Sequence, residues 1–282
     1  MSYLDRVRAC NDFEPSDYLP FVVAGHEVGL VRPSFAEALV EFTGVFEVDD
    51  LGVALSSNLK TVEDRTDAVD GVLRRLAERG VIRHWRDERY PVATAFSAPP
   101  LFTMERAAAT LFGIRASGLH VNGIVRDGDD IRMWIGRRSA DRAVEPGKLD
   151  QLVAGGQPAD LSLTENLVKE CAEEADIPRT LAETAVPVGA MSYRTRWGDG
   201  LKRDVLFLYD LELPADFVPR NTDGELDRFE LWPLDRVAER VRDTDDFKFN
   251  CSLVVIDFLI CHGRIAPDHP DYLEIVRGLH SE

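Results

Sequence analysis

The sequence predicts two units: an α+β domain over residues 1–116, then a strand-rich unit over residues 117–282 closed by a buried helix. Three observations carry this expectation. Short apolar runs mix with helix-period stretches before residue 116. A hairpin signal and long strand runs follow it. The length of 282 residues is comfortable for two domains.

In the first unit, "FVVAGHEVGLV" (Phe21–Val31) reads as two short strands around Gly25. "TDAVDGVLRRLAERG" (Thr66–Gly80) reads as an amphipathic helix. Its apolar positions Val69, Val72, Leu73 and Leu76 recur at helical spacing, and Gly80 sits where a C-cap belongs. "MERAAATLFGI" (Met104–Ile114) reads as a further helix stopping near Gly113. In the second unit, "LHVNGIV" and "IRMWIGRR" flank "RDGDD", an Asp-Gly hairpin signal. "DVLFLYDLEL" (Asp204–Leu213) is a strong strand run. "CSLVVIDFLICHG" reads as a buried closing helix, with Asn250 as N-cap and Gly263 beyond its end.

Composition narrows the function classes. The formal net charge is −17, from 33 basic and 50 acidic residues. Such a chain is repelled by phosphate backbones and by anionic lipid surfaces, so polymeric nucleic acid and membrane are not expected partners. The four cysteines form no CxxC and no zinc spacing; they read as reduced thiols of a cytoplasmic protein. The N-terminal stretch has no apolar h-region, so no signal peptide is expected.

The most informative stretch is "NLVKECAEEADIP" (Asn166–Pro178). Ser162 and Glu165 form a capping box, so a helix runs from about Leu163 to Ala175, and Pro178 ends it. Leu167, Val168, Cys171 and Ala175 form its apolar face. Glu170, Glu173 and Glu174 share another face, and Lys169 can pair with Glu173. Two readings fit three carboxylates there. One is a solvated acidic face. The other is a site for a hard divalent cation, which takes oxygen ligands and relieves the repulsion. Upstream, the pair Gly155-Gly156 lets backbone approach a metal or phosphate closely.

Glycine loop, capped helix and clustered carboxylates together resemble the Nudix box, G-x5-E-x7-R-E-U-x-E-E-x-G-U. The register runs from Gly155 through Leu161 to Lys169-Glu170-Cys171-Ala172-Glu173-Glu174-Ala175-Asp176-Ile177. Leu161 stands where the box has Glu, Lys169 where it has Arg, Cys171 where it has an aliphatic residue, and Asp176 where it has Gly. "WIGRRS", "PGKLDQLVAGG" and "NTDGELDRFELWPLDRV" extend the likeness. "HVNG", "KRDVLFLYDLELP", "FKFNCSLVVIDFLI" and "WRDERYPV" resemble one Nudix subgroup with an N-terminal domain related to those found with thiamine pyrophosphokinases.

The resemblance implies a Nudix α/β/α sandwich after the N-terminal domain, and a homodimer, common in that family. It implies a Mg²⁺-dependent diphosphatase, with Mn²⁺ as a possible substitute. The subgroup's activity is hydrolysis of thiamine diphosphate, or of its oxo- and oxy-forms, to the monophosphate. It implies Glu170, Glu173 and Glu174 as metal ligands, with a backbone carbonyl near Gly155. Glu170 would orient or deprotonate water, and Glu225 would be a further ligand or the base. Arg137 or Arg138 would hold a phosphate; on a strand they face opposite sides, so at most one does. Gly156, Tyr193 and Lys202 are further substrate-binding candidates, Tyr193 by stacking on a ligand ring. Trp85 and Tyr90 are candidates to reach across from the N-terminal domain. His120 reads as structural. Two alternatives stay open: hydrolysis of oxidised nucleoside diphosphates (8-oxo-dGDP type) or another nucleoside-linked diphosphate, and a non-catalytic ligand-sensing module.

Overall fold

The computed structural model describes residues 1–142 and 144–281. Helix α1 (Tyr3–Ala9) leads into strands β1 (Leu19–Val23) and β2 (His26–Val31), helix α2 (Pro33–Leu39), strands β3 (Phe46–Asp49) and β4 (Gly52–Leu55), and helix α3 (Val62–Glu78). Strands β5 (Arg89–Val92) and β6 (Phe102–Glu105) and helix α4 (Ala109–Phe112) complete this half. The sheet order is β2-β1-β4-β3, and β5 and β6 pair as a separate two-stranded ribbon. The turn between β1 and β2 takes Ala24 and Gly25 at φ 50° and 83°, as the glycine signal predicts. Helix α3 buries Val69, Val72, Leu73 and Leu76, the four positions its period picks out. It starts earlier than the sequence suggests, because Thr61 and Asp64 close a capping box upstream. The stretch from Met104 divides: Met104 and Glu105 end β6, and the α-helical turn is confined to Ala109–Phe112 before Gly113 at φ 54°.

The second half runs β7 (Arg115–Asp127), β8 (Asp130–Arg138), β9 (Leu149–Asp150), β10 (Val153–Gly156), α5 (Leu163–Ala175), α6 (Arg179–Ala182), β11 (Val186–Trp197), β12 (Gly200–Glu212) and β13 (Leu226–Pro233). Helices α7 (Leu234–Asp243), α8 (Phe249–Cys261) and α9 (Tyr272–Gly278) end it. The mixed sheet has the order β11-β12-β7-β8-β13, with β10 added on β7 and β9 on β8. Alternation sends β-side chains to two covered faces. Leu119, Val121, Leu211 and Val153 pack with Leu167, Val168 and Cys171 of α5. Ile124, Leu206 and Leu208 pack on the other face with α7, α8 and α9. The sheet thus lies between two helical layers. Tyr3, Leu4 and Val7 of α1 join that second core, although they stand at the start of the chain.

Two expected caps differ. Asn250 lies inside α8, buried, while Lys248 takes the N-cap position without a side-chain cap bond. At the end of α5 Asp176 adopts φ 55°, the left-handed turn for which the Nudix pattern has Gly. Asp is among the residues that tolerate this region, so the helix still terminates there. Ser162 and Glu165 make the reciprocal capping box as predicted.

Leu167 is 3 % exposed and anchors α5 to the sheet. Leu167→Ala is expected to cost about 2–5 kcal/mol, read as a lower urea midpoint at unchanged slope.

Candidate functional site

Strand β10 carries the glycine pair between two close neighbours. A β-carbon placed on Gly155 would lie 2.4 Å from Glu170 Cδ. One on Gly156 would lie 1.9 Å from Tyr90 Oη and 3.3 Å from Arg106 Cζ. With glycine at both places the Glu170, Tyr90 and Arg106 side chains approach the strand directly; a β-carbon would require them to shift. The register Gly155↔Leu119 and Gly156↔Gly118 holds the pair flat on β7. Asn166 of α5 donates to the Gly156 carbonyl at 2.8 Å.

Glu174 is the most constrained carboxylate of the helix. It is 5 % exposed, and its Oε2 accepts from Ala154 N–H at 2.8 Å. Burial pushes its carboxyl well above the ordinary carboxylate range. The charges of Glu225, Glu170 and Asp150 push the same way, and the Ala154 N–H pulls against them. Glu174, Asp223 and Glu225 each place a carboxylate oxygen within 4.8 Å of the others. Glu170 is raised too, by burial first, with Lys169 opposing. Lys169 Nζ lies 3.1 Å from Glu170 and 2.9 Å from Glu173.

Several expected roles need correction. Glu173 faces solvent, its side chain 52 % exposed, and its recorded side-chain partner is Lys169. Of the three helix carboxylates, Glu174 is the one in the group with Asp223 and Glu225, and Glu170 lies against Gly155. Glu225 joins from the loop before β13, but both its oxygens are engaged, Oε1 by Arg138 at 2.9 Å and Oε2 by Arg142 at 2.6 Å. Arg138 is no free phosphate holder. It is 5 % exposed, donates to Asp150 at 2.8 Å as well, and acts as a strut between two acids. Arg137 lies on the opposite side of β8, donates to the Gly147 carbonyl at 2.9 Å and leaves its buried Nε without a partner. Tyr193 is 1 % exposed, packs edge-on against Phe249 at 5.6 Å and donates to Asp204 at 2.6 Å. Its ring is core, which excludes stacking on a ligand in this conformation. Lys202 sits 5.4 Å over Trp197 and 3.6 Å from Asp204, in that same neighbourhood. Trp85 is held beneath Arg74 and does not reach the glycine strand, whereas Tyr90 does.

His120 is buried and neutral, its pKa lowered to about 4 chiefly by burial, with Nδ1 2.9 Å from Gln151 Oε1. Its ligand atoms lie within 4.8 Å of those of Asp150 and Cys251. This group reads as a closed polar core. Asp150 is already flanked by Arg138 at 2.8 Å and Lys248 at 3.5 Å, and these cations hold it at about 2 against the opposing effect of burial. Sequence reasoning missed Asp223, Arg142 and Arg106. Asp223 was readable: it stands two residues before Glu225 in an Asn221–Glu225 turn, where Asn221 Oδ1 accepts from Gly224 N. Arg142 and Arg106 bear no spacing relation to the helix.

Two relatives from Arabidopsis thaliana match nearly the whole chain. One, "Nudix hydrolase 24, chloroplastic", is 47 % identical over 98 % of this chain and 77 % of its own length. The other, "Nudix hydrolase 20, chloroplastic", is 45 % identical over the same shares. The chain belongs to the Nudix hydrolase family. As a Nudix hydrolase it acts on diphosphate bonds. A family model described as "Domain of unknown function (DUF4743)" matches residues 2–116. Among solved structures, the NUDIX domain of Shewanella oneidensis NrtR complexed with ADP ribose aligns with 53 % of this chain and 90 % of its own, at 13 % identity and TM-score 0.42. Nudix hydrolases generally use divalent metals. No helix among the described residues is long and apolar enough to cross a membrane.

Two outcomes are expected. Glu174→Gln keeps an acceptor for Ala154 N–H and removes a carboxyl whose ionisation burial and like-signed neighbours disfavour. Its Tm without metal should rise, by roughly 2–4 °C per kcal/mol gained, and the added rise that wild type shows with Mg²⁺ should vanish. Arg138→Ala strands Asp150 and Glu225 together and should cost about 3–5 kcal/mol in chemical denaturation.

Proposed function

We propose that this Nudix hydrolase is a Mg²⁺-dependent diphosphatase that converts thiamine diphosphate, or its oxidised forms, to the monophosphate. One observation carries the site: the buried Glu174 carboxylate on the glycine strand, with Asp223 and Glu225 beside it and Glu170 against Gly155. The substrate class rests on the likeness of "PGKLDQLVAGG", "KRDVLFLYDLELP" and "WRDERYPV" to the thiamine-linked subgroup. The division at residue 116 into a recognition unit and a catalytic unit belongs to this proposal. So do cytoplasmic residence, read from four unpaired cysteines, and a small-molecule partner rather than a polyanion, read from the net charge of −17.

The donor set suits the metal. Glu174, Glu170, Glu225 and the Gly155 carbonyl are hard oxygen donors, and Mg²⁺ or Mn²⁺ prefers such ligands. The cation would neutralise charge as it shifts in the diphosphate. The rest is the chain's work. Water adds its oxygen to phosphorus, the anhydride P–O bond breaks, and the electron pair leaves with the departing phosphate. Glu170 takes the proton from that water. Its burial raises its proton affinity. Glu174 stays anionic and fixes the far side of the site against Ala154 N–H.

Phosphate release measured over thiamine diphosphate, oxothiamine diphosphate, 8-oxo-dGDP and ADP-ribose tests the reading. Selective turnover of the thiamine compounds is expected, falling at least a hundredfold in Glu174→Gln. Turnover of a nucleotide alone would replace the substrate and keep the site. Binding without turnover would favour a sensing module. The pH profile adds a signed check. Raised carboxyls are still protonated at pH values where ordinary ones are not, so kcat/KM should fall as pH drops through those raised values. More Mg²⁺ should move that acid limb to lower pH, because cation and proton compete for the carboxylates.

A further inference from the structure

The site accumulates acids and spends its cations. Glu174, Asp223 and Glu225 crowd together, Glu170 lies against Gly155, Arg138 and Arg142 are bound to Glu225, and Lys169 bridges Glu170 and Glu173. A diphosphate would bring further negative charge to this cluster. The cation aimed at the glycine strand from the other side comes from the N-terminal half.

Arg106 follows β6 directly. Its backbone N–H donates to the Glu88 carbonyl at 2.8 Å, which closes the open end of the β5–β6 ribbon. The ribbon is fastened to the glycine loop, since Ala159 N–H donates to the Arg89 carbonyl at 2.9 Å. Tyr90, 6 % exposed, presses its hydroxyl against Gly156, and the Arg106 guanidinium lies 5.5 Å from its ring centroid. The Tyr90 hydroxyl fills the space above Gly156, and the guanidinium carbon lies at its side, one residue from the glycine that meets Glu170. The Arg106 side chain is 42 % exposed and therefore reachable. Glu88 engages its Nη1 at 2.6 Å. The guanidinium fork has other N–H donors, and its geometry matches phosphate oxygens in pairs.

We propose that Arg106 binds a phosphate group of the diphosphate substrate beside the glycine strand, delivered in cis by the N-terminal β5–β6 ribbon and released by Glu88 when substrate arrives. Tyr90 is the positioning residue that holds the guanidinium beside the glycine. The inference rests on the carboxylate site proposed above. It gives the N-terminal unit a direct place in the chemistry: this unit completes the charge balance that the helix and its loop leave unfinished.

The test is calorimetric binding of methylenediphosphonate, a non-hydrolysable diphosphate, with Mg²⁺ present, beside steady-state kinetics on a turned-over diphosphate. Arg106→Ala should weaken analogue binding and raise KM by about tenfold or more. Arg106→Lys should recover part of the affinity. Glu88→Gln should tighten analogue binding, because the competing carboxylate charge is gone. Unchanged analogue affinity in folded Arg106→Ala would overturn the proposal. If that variant does not fold, Glu88→Gln and Arg106→Lys decide it, and unchanged affinity in both would overturn it. Glu174→Gln, run in parallel, separates the two readings. Full turnover in that variant with lost analogue binding in Arg106→Ala would sink the carboxylate site and leave the arginine standing.

Discussion

Everything at the candidate site depends on two missing side chains. Strand β10 passes between helix α5 and the β5–β6 ribbon, and at Gly155 and Gly156 there is no β-carbon to keep either away. Any other residue at Gly155 would collide with the Glu170 carboxyl, and any other at Gly156 with the Tyr90 hydroxyl. The usual cost of glycine in a strand is accompanied here by two close side-chain approaches to its backbone. The catalytic helix and the N-terminal ribbon meet across a single extended strand.

That closeness sets up an electrostatic imbalance. Glu174 is desolvated with only the Ala154 N–H to compensate it, and its neighbours share its sign. Burial and like-signed neighbours favour its protonated form, and a divalent cation would favour the ionised one. The neighbouring group of Asp150, Arg138, Glu225 and Lys248 shows the opposite arrangement. There the acids already have cations, and the network supports β8 and the loop carrying Glu225. The two groups meet at Glu225, which the arginines hold, and Glu174 is the acid of the pair of groups that no arginine or lysine side chain is shown to contact among the described residues.

How much of this was legible in the chain follows from what each feature depends on. Helix α5 with its capping box, the Asp-Gly hairpin and the apolar face of α3 are local, and spacing alone reads them. The pairing of Glu170 and Glu174 with the glycines was readable because all lie within one motif. The orientation of Glu173 was not readable from the motif. Shared helical face does not say how far the face turns toward the sheet, and here Glu173 turns outward. Tyr193 and Arg138 looked like binding residues because aromatic and arginine side chains on strands are often used so. Their burial is decided by Asp204, Asp150 and Glu225, which are distant in sequence. Arg106 was invisible, since only the packing of the ribbon on β10 brings it near. The placement of α1 in the far core was hidden likewise.

The central claim is that the carboxylate cluster at Glu174 holds the metal. A crystal soaked in Mn²⁺ and examined by anomalous scattering tests it most directly. The account predicts a peak bonded to Glu174 and the Gly155 carbonyl, with Glu170 or Glu225 beside it. A peak confined to the His120–Asp150–Cys251 group, or none near β10 at saturating Mn²⁺, would contradict it.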